Sequence, residues 1–223
     1  MSRLFVNLVV ITMTAVTIVL KTDAAEHKKS YELTPQNQTV AFRPGTLADA
    51  QAVVGITGPE NGWTVDAVQT TMQNPERYQW TMAVKDGQPV GCATCYLRFS
   101  DDQTAMLTSL AVDPSFRKQG IGQGLVRHEL ELAYKSGCYT VILDVEPDNI
   151  PAIKLYQKLG FKRWSKFTWQ GVALQKMVHF ANQEARATKV GNLQKEIAEL
   201  KKQGRVTDVA GVEEVLKLLP EFP

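Results

Sequence analysis

Two glycines lie among basic and polar residues in the segment Arg117-Lys118-Gln119-Gly120-Ile121-Gly122. An apolar stretch precedes this segment, and apolar residues at spacings of three and four follow it, which predicts a helix that begins here. Backbone N–H groups at glycines can approach a ligand closely, and the unpaired N–H groups of a helix N-terminus favour an anion. Arg117 and Lys118 would add positive charge. The segment therefore predicts a phosphate-binding loop, although Gly-x-Gly alone is equally typical of a tight strand-to-helix turn.

A second segment, residues 145–163, has the pattern of a capped helix with one apolar face. Pro151 suits the first helical turn, and Asn149 or Asp148 precedes it as an N-cap. Gly160 suits the left-handed conformation that often ends a helix. The apolar face at helical spacing consists of Ala152, Leu155, Tyr156 and Leu159. Tyr156 therefore lies on an inward-facing stripe, where its phenol is either a core group or a proton donor.

Two carboxylates stand at the end of the apolar run TVILDVE, residues 140–146. Asp144 and Glu146 are two residues apart, so their side chains share one face of a strand. A carboxylate at such a place can accept a proton from a reacting group or form a structural ion pair. The spacing leaves both interpretations open.

A scaffold of alternating strands and helices has to bring these residues together. The patterns predict strands over residues 105–112 and 140–146 and helices over residues 120–136 and 151–159. Asp113-Pro114 ends the first strand, because proline cannot continue a ladder of backbone hydrogen bonds.

The rest of the folded part is predicted to begin near Val40 with a short strand and a helix capped by Thr46 or Asp49. A second helix spans about residues 64–72. Asp86-Gly87 between two apolar runs predicts a hairpin. A strand over residues 172–180 closes the sheet.

The two glycine-containing segments together resemble the GNAT N-acetyltransferase superfamily. RKQGIG matches the family's R/Q-x-x-G-x-G/A pyrophosphate loop, and NIPAIKLYQKLGFKR matches its Asn-x-x-Ala-x-x-Leu-Tyr-x-x-x-Gly-Phe segment. The resemblance covers residues 106–163, with a weaker match over 40–180, and is nearest in motif to ribosomal-protein alanine N-acetyltransferase-like members. It implies an α+β, three-layer fold with a mixed, mostly antiparallel sheet, a splayed parallel strand pair and helices on both faces.

The resemblance also implies an enzyme that transfers an acetyl group from acetyl-CoA to a primary amine. The pantetheine arm would bind the backbone of Leu110, Ala111 and Val112. Asn149 would reach the pantetheine or the acceptor, and Tyr156 would protonate the leaving thiolate. The pyrophosphate would bind the Arg117 side chain and the backbone N–H groups of Lys118, Gln119, Gly120, Ile121, Gly122 and Gln123.

The proton acceptor stays open within this resemblance. One subgroup has glutamate where this chain has Asp144, which is one methylene shorter. Glu146 and a chain of water molecules are the alternatives. A backbone N–H near Leu110 or Ala111 would stabilise the oxyanion. A catalytically silent module that binds acyl-CoA is the competing function.

The acceptor amine is not identified by the sequence, and small molecules and peptides both remain open. Four aromatic residues outside the matched motifs would either line an acceptor cleft or serve as packing: Trp63, Trp164, Phe167 and Trp169.

Composition argues against several other classes of function. Lys+Arg 25 against Asp+Glu 23 gives no basic field for a nucleic-acid partner. Cys92 and Cys95 are three apart in a predicted strand and so face opposite sides, which disfavours a shared metal or redox pair. The histidines show no metal-ligand spacing. We therefore expect neither a metal nor a disulfide framework.

The two ends of the chain differ from its centre. We divide the sequence into a hydrophobic segment with linker (1–30), an acetyltransferase domain (31–180) and a helical tail (181–223). Residues 4–20 are uncharged and suit a membrane anchor, with a signal peptide or a mis-assigned start as alternatives.

The flanking charges bear on the compartment. Lys21, Lys28 and Lys29 follow the uncharged run and favour a cytoplasm-facing domain over an exported one. The tail is predicted to be either a partner-binding or dimerising arm or a helix packed on its own domain. The chain is accordingly expected to be a monomer or a homodimer.

Overall fold

A computed structural model describes residues 40–58, 61–100 and 103–221. Within them a seven-stranded sheet has the order β1-β2-β3-β4-β5-β7-β6. Every neighbouring pair is antiparallel except β4 and β5, which are parallel. This arrangement confirms the predicted fold class. The strands are β1 Ala41–Pro44, β2 Tyr78–Lys85, β3 Gln88–Ser100, β4 Thr104–Val112, β5 Thr140–Val145, β6 Lys162–Trp169 and β7 Val172–Phe180.

Helices cover both faces of this sheet. They are α1 Ala50–Thr57, α2 Val65–Met72, α3 Ile121–Lys135, α4 Ile150–Lys158, α5 Gln183–Lys202 and α6 Val206–Lys217. Alternate residues of each strand face opposite sides, so Leu143 packs with α3 and α4 whereas Ile142 packs with α5 and α6. In β3, Cys95 packs with α3 whereas Cys92 packs with α1 and α2. The α3–α4 pair therefore fills one face, and the other two helix pairs share the opposite face.

Local sequence signals explain where most of these elements begin and end. Asp86 and Gly87 have φ values of 51° and 79°, which gives the predicted hairpin turn between β2 and β3. Thr46 and Asp49 form a reciprocal capping box ahead of α1. Thr64 caps α2 by accepting from the N–H of Ala67 at 3.2 Å. The strand β6 is an element that the sequence analysis did not predict.

The parallel pair β4–β5 is splayed, as expected for the family it resembles. The ladder joins only Thr104–Met106 with Thr140–Ile142, although β4 continues to Val112. The register between β3 and β4 shifts so that Thr108 has no partner position in β3. Thr108 is two positions after Met106, the last residue of β4 that pairs with β5. A bulge bends its strand and increases the local twist. The bulge therefore lies at the point where β4 leaves β5.

The close packing of α3 on the sheet depends on a small residue. A Cβ at Gly124 would collide with the ring of Phe42, which is buried in β1. Only a residue without a side chain allows α3 to lie at this distance from β1.

The C-terminal helices α5 and α6 pack against each other and against the sheet. Leu193 packs in a cluster with Ile142 of β5, and Ile197 and Leu200 pack against α6. The Trp164 Nε1 donates to the backbone carbonyl of Val215 at 2.9 Å. The division at residues 180 and 181 stays a prediction, but α5 and α6 are packed on their own chain.

The uncharged run at residues 4–20 lies outside the described residues, so its role as an anchor or signal peptide stays a prediction. Among the residues that are described, no helix is both long and apolar enough to cross a membrane.

Candidate active site

The outer edge of β4 presents unpaired backbone groups to the gap between β4 and β5. The N–H of Asp113 donates to the carbonyl of Val90 at 3.0 Å, so this opposed pair is hydrogen-bonded across β3 and β4. Bonded and non-bonded pairs alternate along an antiparallel ladder. Ala111 opposite Cys92 is therefore a bonded pair, and Leu110 and Val112 direct their amides into the gap. Of the three residues predicted to bind pantetheine, Leu110 and Val112 have the required orientation and Ala111 faces β3.

The loop that follows β4 leads into the N-terminus of α3. Its N-cap residue is Gly120, at φ 80°, which has no side chain to cap the first amides of the helix. Lys118 also has a left-handed φ of 62°, an uncommon conformation for a residue with a side chain. Strained backbone of this kind is often found at ligand-binding sites. A fifteen-residue helix with unsatisfied N-terminal amides is well suited to an anion.

Three cations surround this loop, one of which the sequence analysis missed. The Arg117 Nε donates to the carbonyl of Val112 at 3.0 Å, which holds its guanidinium beside the gap. Lys118 is exposed on the loop. Lys85, at the end of β2, donates to Oε1 of Gln119 at 3.0 Å and lies 5.6 Å from the ring centroid of Phe116. No local pattern relates Lys85 to a loop more than thirty residues later, so only the fold reveals it.

Tyr156 projects from α4 into the core beside Phe161, with 5.7 Å between their ring centroids. The side chain is 8% exposed, in agreement with the inward stripe predicted from the sequence. Burial raises the pKa of its phenol to about 12, so the group stays protonated at neutral pH. A higher pKa also makes Tyr156 a weaker acid than an exposed tyrosine, so it suits hydrogen-bond donation better than complete proton transfer.

Asp144 lies at the end of β5 on the face shared with α5 and α6. Its Oδ1 is 2.7 Å from the Nζ of Lys176 on the neighbouring strand β7. Lys176 also lies 4.9 Å from the ring centroid of Phe167. Glu146 follows the last residue of β5 and is half-buried, and its carbonyl accepts from the N–H of Asn149 at 3.0 Å. The structure therefore gives Asp144 an ion-pair partner that the sequence analysis did not identify.

Asn149 is the N-cap of α4, one of the two caps predicted. Its Oδ1 accepts from the N–H of Ala152 at 3.2 Å, and Pro151 occupies the first turn. This bond uses the side-chain oxygen and leaves the amide NH2 as the group that can reach a ligand.

The aromatic residues outside the motifs have different environments. The Trp63 Nε1 donates to Oγ of Ser109 at 3.0 Å, so the segment before α2 contacts β4 next to its bulge. Trp164 is buried against the tail helices, and Trp169 is 58% exposed at the end of β6. Trp63 therefore lies near β4, and Phe167 lies near Lys176.

Cys92, Cys95 and Cys138 are buried and form no disulfide with one another. Cys92 and Cys95 face opposite sides of the sheet, and burial raises the pKa of both thiols. In the described part of the chain no group of three or more histidine, cysteine, aspartate or glutamate residues could hold a metal ion.

Comparison with known proteins agrees with this arrangement. The model of the Acetyltransferase (GNAT) family matches residues 53–161, which include β4, the loop, α3, β5 and α4. Residues 53–161 therefore have the sequence pattern of a GNAT acetyltransferase domain. The resemblance noted in the sequence is thereby confirmed.

Curated relatives share parts of this domain. The chain is 31% identical over 141 residues to mycothiol acetyltransferase of Saccharopolyspora erythraea, which covers 60% of this chain and 46% of that protein. It is 42% identical over 57 residues to the ribosomal protein bS18 alanine N-acetyltransferase of Escherichia coli, covering 26% of this chain and 38% of that enzyme. The chain therefore spans less than half the length of these relatives.

Solved structures show the same fold. An acetyltransferase structure from Salmonella typhimurium, described with acetyl-CoA as its cofactor, aligns with a TM-score of 0.57 at 19% identity, over 64% of this chain and 94% of that one.

Proposed function

We propose that this chain is an N-acetyltransferase that transfers the acetyl group of acetyl-CoA to a primary amine. The observation that carries the proposal is the splay of β4 from β5 beside the N-terminus of α3. It places unpaired amides of Leu110 and Val112 next to a cationic loop, which fits an extended polar chain that ends in a pyrophosphate.

The residues of the gap fit the donor substrate from end to end. The amides of residues 118–123 and the Arg117 side chain would hold the pyrophosphate, with Lys85 and Lys118 adding positive charge. Leu110 and Val112 would bond the pantetheine as a neighbouring strand does. Acetyl-CoA supplies an activated acetyl group when it is bound.

Direct transfer needs an amine in its neutral form next to the thioester. The amine nitrogen bonds to the carbonyl carbon, the carbon–sulfur bond breaks, and the amine releases one proton to Asp144, Glu146 or water. CoA leaves as a thiolate, which then takes a proton from water. The Leu110 N–H faces the gap and would stabilise negative charge on the carbonyl oxygen. Tyr156 would donate a hydrogen bond to the leaving sulfur from its protonated phenol.

The two faces of the sheet suggest how the reactants approach. Helices α3 and α4 cover the face that holds Tyr156, whereas Asp144 and Ser109 lie on the opposite face. An acceptor would therefore enter between the segment that contains Trp63 and the strands β7 and β6. A domain that faces the cytoplasm would have acetyl-CoA available to it.

Thiol release from acetyl-CoA with a panel of amines tests the proposal on the full-length chain. We expect release that depends on both the amine and Tyr156. A silent acyl-CoA-binding module would bind acetyl-CoA, release no thiol with any amine and show no loss on Tyr156→Phe. That combination would rule out the enzyme.

A further inference from the structure

A cavity of about 610 Å³ lies between the β6–β7 edge of the sheet and α6. Its apolar lining includes Phe167, Val215 and Leu218, and its charged lining residues are Lys166, Lys176 and Glu214. Every residue that lines it follows the end of the family match at residue 161. The cavity is therefore built by strands and a helix beyond the matched region.

The cavity reaches the proposed reaction centre through one side chain. Lys176 lines the cavity, and its Nζ is 2.7 Å from Oδ1 of Asp144 at the end of β5. Both residues lie on the sheet face that α3 and α4 leave uncovered, because Leu143 and Met177 of the same strands pack with α3 and α4. An acceptor whose amine is at Asp144 would therefore extend over Lys176 into the cavity.

The charges of this region favour a zwitterionic acceptor. Asp144 and Lys176 are opposite charges in contact, which complement an ammonium and a carboxylate attached to the same carbon. Phe167, Val215 and Leu218 lie beyond the pair and would contact an apolar substituent.

We propose that the acceptor is a free α-amino acid with an apolar side chain, held by Asp144 at its ammonium and by Lys176 at its carboxylate, with its side chain against α6. This inference rests on the proposed function for the acetyl transfer itself, and on the cavity for the choice of acceptor. The C-terminal helix α6 is then a wall of the acceptor site.

Leucine and two matched analogues test the carboxylate. We expect leucinamide and 3-methylbutylamine, which lack the carboxylate, to have values of kcat/KM about 10- to 100-fold lower than leucine, as for a lost charged hydrogen bond. Lys176→Met should lower the value for leucine by a larger factor than the values for the two analogues, so that the preference for leucine is lost. Lys195→Met, an exposed lysine of α5, is the control.

A cavity-filling substitution tests the role of α6. Gly211 lines the cavity, and a Cβ there would meet nothing within 4 Å, so Gly211→Trp places an indole at the wall without a backbone clash. We expect weaker leucine binding by calorimetry in the presence of CoA, with unchanged CoA affinity. Gly191→Trp on α5 also has open space at its Cβ but lies outside the cavity, and it should bind leucine as the unaltered chain does.

Calorimetry separates this inference from the proposed function. Leucine binding without thiol release would reject the acetyltransferase reaction and keep the amino-acid site. Absence of leucine binding, equal kcat/KM for leucine and 3-methylbutylamine, or better turnover of peptides than of leucine would reject the amino-acid site.

Discussion

Asp144 and Lys176 form an ion pair of 2.7 Å that joins β5 to β7 at the edge of the proposed acceptor site. The pair is partly buried, with side-chain exposures of 17% for Asp144 and 22% for Lys176. One carboxylate oxygen of Asp144 is therefore already in contact with a cation, so an acceptor amine would contact the other oxygen.

Asp144→Asn should lower kcat/KM for the preferred amine by about 10²-fold or more, the usual scale for a lost general base. Glu146→Gln is the matched change two residues later, and we expect it to have a smaller effect. Steady-state rates and thermal melting of both variants provide the measurement. A larger loss in Glu146→Gln would assign the base to Glu146, and equal small losses would favour water.

Tyr156→Phe should lower kcat by about 10²-fold, because the leaving sulfur loses its hydrogen-bond donor. The melting temperature should change little. Since the active form is the protonated phenol and its pKa is raised to about 12, Tyr156 should produce no fall in rate below about pH 11. Tyr139→Phe, at an exposed tyrosine just before β5, is the control. An alkaline fall near pH 9 that disappears in Tyr156→Phe would contradict this interpretation.

Glu129→Gln should raise stability at alkaline pH. The Glu129 carboxyl is buried in α3, and neither of its oxygens is within hydrogen-bond geometry of a donor in the described part of the chain. Burial raises its pKa to about 8 from an ordinary value of 4.5, and the nearby Thr81 offsets that rise only in part. The hydroxyl of the same Thr81 is hydrogen-bonded to Nδ1 of His128, at 3.0 Å.

The folded state binds this proton more tightly than the unfolded state does. The free energy of unfolding should therefore fall as pH rises from about 4.5 to 8, by at most about 1.4 kcal/mol per pH unit. Above pH 8 the contribution is constant. In urea unfolding across this range, the free energy of unfolding should fall with pH by that slope for the unaltered chain and should not do so for Glu129→Gln. Glu196→Gln, on the exposed side of α5, is the control and should behave as the unaltered chain does. Parallel curves for all three proteins would contradict the shift.

Gly124→Ala should destabilise the fold by about 1–3 kcal/mol, because the added Cβ would overlap the ring of Phe42 and push α3 away from β1. Gly55→Ala is the opposite case, since its position in α1 has open space around the new Cβ. There we expect a gain of about 0.5–1 kcal/mol from reduced backbone entropy in the unfolded chain. Denaturant unfolding of the two variants should therefore move in opposite directions.

The parts of the fold that the sequence predicted are those specified by neighbouring residues. Pro151 with Asn149, Asp86 with Gly87, and Thr64 with the residues after it are each signals within one turn of chain, and each appears as expected. The predicted inward position of Tyr156 also follows from helical spacing alone.

Contacts between distant strands could not be predicted in the same way. The pairing of Asp144 with Lys176 depends on the register of β5 against β7, and the approach of Lys85 to Gln119 depends on where β2 ends. The bulge at Thr108 decides which amides of β4 face the gap, and no residue type at that position marks it. The amide of Ala111 therefore faces β3 because of the strand register, and the register cannot be predicted from a pattern of residue types.

The sheet itself is divided where β4 and β5 separate. Strands β1–β4 form one paired unit and β5–β7 another, and three residue pairs at Thr104–Met106 are the seam between them. A donor that bonds to Leu110 would occupy the position of a missing strand and lengthen that seam. The two paired units of the sheet would then be joined more firmly in the complex with the donor than in the free chain. Slower amide exchange in both units on donor binding would be its signature.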